Sequence, residues 1–338
     1  MGWDFCFAFR EADSVWKEQR KLFYEYFRPD RARQYSDAQR TETHAFLRRL
    51  LNSPQDFLEH THHLFGSALT KLVYGIAVKE SKDPYVEVAE EAVAGLSKAI
   101  HPGKYLVDIF PALKHIPVWM PGAGFRKTGI YFAALNEKLV KAPFEAAEAS
   151  IAKGEMVESI VADMVSKLSS DPVLRAEQRK MEMHVAATAY AAGADTTVAA
   201  VQTFFLLMAM HPEVQKRAQA ELDTFLGVDP DRLPDFSDRG TLPYIEALVS
   251  ELLRWNLVVP ASIPHASVED DLYEEYFIPK GTLIIANVWT LSRDPIMYPE
   301  PDKFIPERFL KNGVINNNIR DPRTLIFGFG RRICPGRH

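Results

Sequence analysis

A chain of 338 residues with 47% hydrophobic and 25% charged residues has the composition of a folded globular protein, which excludes a disordered or fibrous chain. The formal net charge of −5 and the lack of any basic run exclude a general attraction to nucleic acid. Two cysteines, Cys6 and Cys334, are too few for a disulfide framework, which favours a reducing compartment.

The N-terminal two thirds of the chain is predicted to be helical. Apolar residues at three- and four-residue spacing predict helices at Ser14–Phe27, Arg31–Leu51, Gln55–Val78, Pro84–Ile100, Lys127–Lys153 and Val157–Leu168. The segment Pro102–Gly124 interrupts them with prolines among apolar pieces, a pattern typical of a lid or a long functional loop with short helical turns.

The longest predicted helix is Met181–Met210, which would span about 45 Å and is apolar on nearly all sides. We therefore expect it to be buried through the middle of the fold. No stretch of about 18 residues lacks polar groups, so the sequence predicts no transmembrane helix, and Met1–Arg10 is not a signal peptide. The remaining predicted elements are helices Pro212–Leu226 and Pro243–Trp255 and strands Tyr276–Ile278 and Thr282–Ala286.

The segment from Phe327 to Gly336 reads FGFGRRICPG and carries the strongest chemical signal. A thiolate that binds iron must be deprotonated and shielded from water, and Phe327 can cover the sulfur of Cys334. The glycines allow tight backbone conformations near the sulfur, and Arg332 offers a cationic fork for a carboxylate such as a haem propionate. The alternative is a buried structural cysteine in a glycine-rich turn.

Three other patterns accompany this segment. Glu251 and Arg254 share one helix face, which alone indicates an ordinary surface ion pair. Gly193 costs helix stability and would let a cofactor approach, and Asp195 beside Thr196 predicts a buried acid and hydroxyl that form a proton relay. A polar patch inside a packed helix is the alternative for that pair. The trio His60, His62 and His63 points to different helix faces, so it predicts no metal site.

The segments occur in the order found in cytochrome P450 proteins, and around Trp16 and Phe27 the chain resembles fungal microsomal members. The resemblance implies a cytochrome P450 fold, mainly α with a small β component, as a single incomplete catalytic domain over residues 1–338. It also implies haem b (iron protoporphyrin IX), with Cys334 as the axial ligand of the iron. The positions that match the family's cysteine signature are Phe327, Gly328, Gly330, Arg332, Cys334 and Gly336.

The same resemblance assigns further residues. It implies that Asp195 and Thr196 serve proton delivery and O–O cleavage, with the thiolate ligand donating electron density to the iron. A buried triad would hold the cysteine loop in place, and three other residues would contact the haem propionates. The triad would consist of Glu251, Arg254 and Arg308, and the propionate contacts of Trp16, Arg20 and His265.

The implied reaction is the insertion of one oxygen atom of O2 into a small apolar organic substrate, with electrons from NADPH through a separate cytochrome reductase. Its docking face would comprise Lys17, Lys21, Arg331 and Arg337. The full-length parent would lie at the cytoplasmic face of the endoplasmic reticulum membrane, held there by a segment absent from this chain.

Two alternatives remain. Some family members isomerise or dehydrate oxygenated substrates, which needs no proton relay of the Asp195 and Thr196 kind. An inactive truncated fragment is the other, since the family has an anchor, helices and strands before the first helix here and a further helix after the cysteine loop. A helix N-terminus there would stabilise the thiolate, so we expect the isolated chain to bind haem poorly.

Overall fold

The computed structural model describes residues 1–101, 103–155, 158–227 and 231–337. Pro102, the first residue of the predicted lid, and Val157, the first residue of a predicted helix, lie outside the described residues. The chain separates into two compact units, Met1–Val198 and Ala199–Arg337, with the boundary inside a single helix. The expectation of one catalytic domain remains a prediction.

The first unit is helical. Its helices are α1 (Ser14–Phe27), α2 (Pro29–Ala32), α3 (Ser36–Asn52), α4 (Phe57–Tyr74), α5 (Pro84–Ala99), α6 (Leu106–Ile109), α7 (Gly124–Ala152), α8 (Ile160–Ser166) and the part of α9 (Pro172–Met210) up to Val198. Their apolar faces bury one core, in which Trp16, Phe23 and Phe144 pack with the Val185–Ala191 stretch of α9.

Side-chain caps explain where two of these helices begin, and a left-handed glycine explains where a third ends. Asp13 accepts a hydrogen bond from the Trp16 amide at 2.7 Å, which starts α1 at the predicted residue. Asp83 caps α5 in the same way through the Tyr85 amide at 2.9 Å. The α4 helix ends at Tyr74, four residues before the predicted end at Val78, because Gly75 adopts a left-handed conformation with φ 71°.

The predicted helix Arg31–Leu51 is wrong in its first part. A 3-10 turn at Arg33–Tyr35 separates α2 from α3. The Tyr35 hydroxyl donates to the Tyr26 carbonyl at 2.9 Å, which holds this turn against α1. The predicted lid does contain short helical turns, namely α6 and a 3-10 turn at Pro111–His115.

The longest helix, α9, begins at Pro172 rather than at Met181. The Asp171 carboxylate accepts from the amides of Val173 and Leu174 at 3.0 and 2.9 Å, which adds turns that apolar periodicity does not reveal.

By length and composition α9 could cross a membrane, and only 22% of its apolar 18-residue window is buried. The prediction that α9 is buried along its length is therefore wrong, although Val185, Tyr190 and their neighbours lie in the core. The helix contains polar residues, which is why the sequence alone predicts no such segment.

Among its described residues, the second unit combines helices with three two-stranded antiparallel sheets. Its helices after α9 are α10 (Pro212–Leu226), α11 (Pro243–Trp255), α12 (Val288–Ser292) and α13 (Arg323–Ile326). The sheets pair β1 (His265–Ala266) with β4 (Leu283–Ile284), β2 (Asp271–Tyr273) with β3 (Tyr276–Ile278), and β5 (Leu310–Lys311) with β6 (Val314–Ile315).

The core of the second unit lies where α10 and α11 meet the end of α9. Leu207 and Met208 of α9 pack against Tyr244 and Leu248 of α11. The bounds of α10, α11 and β3 agree with the predicted ones, whereas the predicted strand Thr282–Ala286 shortens to Leu283–Ile284. The predicted fold class, mainly α with a small β component, is confirmed.

Candidate functional site

The cysteine segment forms a closed loop at the end of the second unit. It follows α13, where Leu325 is fully buried against Val288 of α12. The Cys334 amide donates to the Phe327 carbonyl at 2.6 Å, which joins the two ends of the segment. A 3-10 turn at Gly330–Arg332 lies between them. Backbone hydrogen bonds therefore fix the position of the cysteine relative to the base of the loop.

Two glycines of this loop are required by backbone torsion. Gly328 has φ 76° and Gly330 has φ 55°, in the left-handed region that residues with a Cβ rarely adopt. An added Cβ at either residue would meet nothing within 4 Å, so sterics within the loop are not the reason. At Gly336 a Cβ would lie 3.8 Å from the Cys334 sulfur, an ordinary contact. The described atoms of the chain give no steric or torsional reason for a glycine at Gly336, and its predicted role beside the sulfur stays a prediction.

The side chains around the sulfur are partly accessible. Phe327, Arg332 and Cys334 are all half-buried, whereas Arg331 and Gly336 are exposed. Iron already held by the four nitrogens of a porphyrin needs one further strong protein ligand, and a single thiolate on a preformed turn can supply it. The donor set of this loop therefore fits a haem group.

Glu251 is the centre of a buried ion cluster in the second unit. Arg254 donates to its two carboxylate oxygens through Nε and Nη2, at 2.7 and 2.8 Å. Arg308 adds a third hydrogen bond through Nε at 3.1 Å, and the Ile305 amide donates at 2.8 Å. The side chains of Glu251 and Arg254 are 0% exposed. An ion pair of this kind is tolerated in the interior only because its polar atoms are hydrogen-bonded.

The two guanidinium groups also bind the irregular segment from Ser292 to Lys303. Arg254 Nη1 donates to the carbonyls of Ser292 and Pro301 at 2.9 and 2.8 Å. Arg308 Nη2 donates to the carbonyls of Glu300 and Lys303 at 3.1 and 3.2 Å. This segment lacks regular secondary structure after α12, so the arginines satisfy carbonyls that no helix or sheet does.

Helix α11, which carries Glu251 and Arg254, also supports the cysteine loop. Arg323, the first residue of α13, pairs with Glu246 of α11 at 3.5 Å. The same helix, α11, carries Glu251 and Arg254 five and eight residues further along. One rigid element therefore holds both the ion cluster and the base of the cysteine loop.

The Asp195 and Thr196 pair lies in the first unit, on α9. The Thr196 hydroxyl donates to the Ala192 carbonyl at 2.8 Å, and α9 continues through this point without a break. Asp195 is half-buried and Thr196 is exposed, so the prediction of a buried pair is wrong. The apolar composition of α9 predicts burial, but only 22% of the apolar 18-residue window of this helix is buried.

Gly193 has a packing role that the sequence does not reveal. A Cβ at this position would lie 2.8 Å from Cδ1 of Leu69 on α4. The glycine therefore permits close packing of α4 against α9, rather than only the predicted approach of a cofactor.

The three histidines of α4 have three separate partners. His62 Nδ1 lies 3.2 Å from the carboxylate of Glu90 on α5. His60 bonds to Ser53, and His63 bonds to the Lys79 carbonyl at 2.9 Å. The hydrogen bond with Glu90 and the charge of Asp195 both raise the pKa of His62, against the effect of burial. Sequence reasoning missed the His62 and Glu90 pair, because nothing in their spacing along the chain indicates it.

The predicted propionate ligands belong to different units, Trp16 and Arg20 to the first and His265 to the second. Trp16 is buried in the core of the first unit, and the Arg20 guanidinium carbon lies 6.0 Å from its ring. His265 is exposed on β1, opposite Ile284 of β4. Lys17 and Lys21 are exposed on α1, and Arg331 and Arg337 are exposed near the cysteine.

Comparison with known proteins places this geometry in a family. The family model "Cytochrome P450" matches residues 3–338. Cytochrome P450 monooxygenase COX1 of Coprinopsis cinerea is 41% identical over 99% of this chain and 65% of its own length. Cytochrome P450 monooxygenase COX2 of the same fungus is 42% identical over 100% of this chain and 64% of its length.

A third relative is tryptamine 4-monooxygenase of Psilocybe cyanescens, which is 36% identical over 100% of this chain and 66% of its own length. This chain thus spans about two thirds of the length of the curated relatives that it matches. The match covers the cysteine loop and the α9 pair as well as most of the fold. The chain belongs to the cytochrome P450 family.

Proposed function

We propose that this protein is a haem-dependent monooxygenase that inserts one oxygen atom of O2 into a small apolar organic substrate. The observation that carries the proposal is the closed loop that presents Cys334, supported by the buried Glu251 cluster on α11. The names of the fungal relatives, several of which are monooxygenases, support it further.

The residues that would hold haem b are those of the cysteine loop, in which the sulfur of Cys334 would bind the iron. Arg332 in the loop, Arg20 and Trp16 on α1 and His265 on β1 would contact the propionates. The cationic or ring N–H donors of these side chains suit carboxylates. When bound, the haem iron supplies the activation of O2 and the transfer of one oxygen atom.

The protein's part in proton delivery follows from two side chains of α9. The Thr196 hydroxyl gives its only proton to the Ala192 carbonyl, which leaves its oxygen free to accept a hydrogen bond. Asp195, the adjacent residue, is half-buried and can take a proton from the solvent side and pass it on. We assign Thr196 to holding a proton donor in place and Asp195 to proton delivery.

The proposed electron donor is an NADPH-dependent cytochrome reductase, and the proposed location of the full-length protein is the endoplasmic reticulum membrane. The docking surface would use the exposed cations Lys17, Lys21, Arg331 and Arg337. Reversal of these charges should slow haem reduction in a salt-dependent way and leave the haem spectrum unchanged. Lys216→Glu on α10 is the control, since that lysine is exposed and lies outside the proposed surface. Equal reduction rates in all variants would dismiss the surface.

The carbon monoxide difference spectrum of the reduced full-length protein tests the function. The thiolate band should be present in the protein without substitutions and in Cys6→Ala, which removes the other cysteine. It should be absent in Cys334→Ser. Persistence of the band in Cys334→Ser would overturn the assignment. Product formation that requires O2 and NADPH would support monooxygenation, whereas turnover without O2 would favour the isomerase or dehydratase alternative.

A further inference from the structure

The β5–β6 hairpin of the second unit closes through a two-residue turn. The antiparallel pairing of β5 with β6 extends up to Lys311 and Val314, which leaves Asn312 and Gly313 as the residues of the turn. Both have positive φ, 53° for Asn312 and 80° for Gly313, which is typical of a type I′ turn. Both residues are exposed, and an added Cβ at Gly313 would meet nothing within 4 Å. The described chain therefore leaves the space beside this turn open.

Asparagine followed by glycine is a chemically labile sequence. Asparagine is thermolabile because the backbone nitrogen of the next residue can attack its side-chain amide carbon. Glycine as the next residue favours this attack, since it has no Cβ that obstructs the approach. Asn312 is the only asparagine in the sequence that precedes a glycine. This reactivity is thus concentrated at the tip of one exposed hairpin.

The conformation of the turn opposes the reaction. In a type I′ turn the first central residue has ψ of about +30°. For an L-residue this value directs the following nitrogen nearly opposite to Cβ about the Cα–C bond, whereas closure of a five-membered ring requires both atoms on the same side. The side-chain amide carbon of Asn312 therefore cannot reach the Gly313 nitrogen until ψ rotates. Since that rotation changes the direction of the chain, it separates β5 from β6.

Opening of this hairpin is a local event. The pairing beyond the turn consists of two residue pairs, and every strand residue except Leu310 is exposed. At the base of the hairpin the Asn316 amide donates to the Phe309 carbonyl at 2.8 Å, and Phe309 is buried against Ala247 of α11. Short segments with few buried contacts open at a much smaller free energy than the whole fold. The tip can therefore open while Phe309 stays in the core.

We propose that Asn312 is a site of spontaneous deamidation, and that local opening of the β5–β6 hairpin controls its rate. In the reaction the Gly313 backbone nitrogen bonds to Cγ of Asn312, and the side-chain nitrogen takes up the proton that this nitrogen loses and leaves as ammonia. Water, the only co-reactant, then opens the five-membered imide ring at either carbonyl. One opening gives aspartate, and the other gives isoaspartate, in which the main chain runs through the side-chain carbons. No electrons are transferred.

The isoaspartate product would disturb the neighbouring ion cluster. It adds one carbon to the main chain, so a two-residue turn can no longer keep β5 in register with β6. β5 begins at Leu310, two residues after Arg308, whose Nε donates to Glu251 at 3.1 Å. The modification would therefore loosen the strand that follows the cluster and lower the stability of the protein. Aspartate at residue 312 tolerates positive φ and would preserve the hairpin.

The first test follows the reaction by peptide mass spectrometry. The full-length protein is incubated at mildly alkaline pH, either folded or unfolded in urea, and then digested at acidic pH so that the reaction stops. Aspartate and isoaspartate should accumulate at residue 312 in both samples, at least about tenfold more slowly in the folded protein. Asn316, Asn317 and Asn318 do not precede a glycine, so they should react more slowly than Asn312 in urea and serve as internal controls. Equal rates at Asn312 in the two samples would overturn the role of the turn.

The second test separates local opening from complete unfolding. Val314→Gly weakens β6 beside the turn without changing the reacting pair, so it should speed deamidation of the folded protein by about two- to fivefold. Gln219→Gly, at an exposed position of α10, lowers the stability of the same unit away from the hairpin and should leave the rate unchanged. Urea denaturation checks that the two variants are destabilised to a similar extent. Equal deamidation rates in the two folded variants would overturn the proposal.

A third measurement addresses the product. Protein enriched in isoaspartate at residue 312 should unfold at a temperature a few degrees lower than unmodified protein. Asn312→Asp introduces the same charge without the additional main-chain carbon, so it should unfold at the unmodified temperature. Equal unfolding temperatures of the isoaspartate form and Asn312→Asp would refute the effect on the ion cluster. These measurements involve neither haem nor turnover, so a negative result would leave the proposed function in place.

Discussion

Gly193 of α9 lies directly against Leu69 of α4, so close that a Cβ on the glycine would fall 2.8 Å from a leucine methyl carbon. In a helix interior, alanine is favoured over glycine by about 1 kcal/mol. At position 193 this gain is opposed by steric overlap between the alanine Cβ and the Leu69 side chain, because the leucine must move or the two helices must separate.

We expect Gly193→Ala to be less stable than a matched alanine variant elsewhere. Gly129 of α7 is the control, since a Cβ there would meet nothing within 4 Å. Gly129→Ala should raise the free energy of unfolding by about 0.5–1 kcal/mol. The free energy of unfolding of Gly193→Ala should be lower than that of Gly129→Ala by at least about 1 kcal/mol. Urea denaturation measures both.

Leu69→Ala provides the second arm of this comparison. In that background the obstructing methyl groups are gone, so Gly193→Ala should stabilise the protein as Gly129→Ala does. Equal effects of Gly193→Ala with and without Leu69 would show that the packing contact does not determine the need for glycine.

The buried cluster around Glu251 predicts a large effect of a small chemical change. Glu251→Gln leaves the guanidinium groups of Arg254 and Arg308 buried without a counter-charge, which should cost about 3–5 kcal/mol of unfolding free energy. Glu137→Gln breaks an exposed pair with Lys141 on α7 and should change stability little. Urea denaturation of both variants checks this, and a small effect at Glu251 would contradict the cluster's structural role.

Glu182 of α9 predicts a dependence of stability on pH. Its side chain is 7% exposed and Oε2 has no hydrogen-bond partner among the described residues. Burial, aided by the charge of Glu148, raises the pKa of Glu182 to about 7. In the unfolded chain a glutamate has a pKa of about 4.3. The folded state therefore binds more protons between these values, and stability falls as the pH rises from about 4.3 to 7.

Glu182→Gln should remove this decline, because glutamine does not ionise. Between pH 5 and pH 8 the variant should gain on the order of 1–3 kcal/mol of unfolding free energy relative to the parent. Glu177→Gln, at an exposed position of the same helix, should track the parent at both pH values. A constant difference between Glu182→Gln and the parent across this range would show that Glu182 does not titrate there.

The glycines of the cysteine loop should differ in their tolerance of alanine. Gly328→Ala and Gly330→Ala must hold a side chain at positive φ, which should cost about 1–2 kcal/mol each. Gly336→Ala makes only an ordinary contact with the Cys334 sulfur and should change the stability of the chain without haem by less than about 0.5 kcal/mol. Thermal denaturation ranks the three, and a Gly336 variant as damaging as the other two would contradict the torsional explanation.

The sequence predicts the local elements better than their packing. The bounds of α10 and α11 agree because each begins with a proline that is visible in the sequence. At the break between α2 and α3 the Tyr35 hydroxyl donates to the Tyr26 carbonyl of α1, a contact between helices that leaves no periodic pattern in the sequence.

The residues of the candidate site also divide into those that the sequence predicts and those whose environment depends on packing. Cys334 and its two torsionally constrained glycines can be recognised from their spacing, because the loop closes on itself within eight residues. The environment of Asp195 cannot be predicted in this way, since its exposure depends on which helices pack around α9. The family resemblance supplied the pairing of Glu251 with Arg308, which are too far apart in sequence for a helix rule to connect them.

The hydrogen bonds that Arg254 and Arg308 give to the Ser292–Lys303 segment end on main-chain oxygens. Such contacts prescribe the path of the backbone but make no demand on the side chains attached to it. Substitutions at exposed positions of this stretch, such as Ile296, should therefore be absorbed readily, whereas an inserted or deleted residue would shift every carbonyl out of alignment with its guanidinium donor. The segment is constrained in length and course, and free in chemical identity only where its side chains face the solvent, which excludes the fully buried Tyr298.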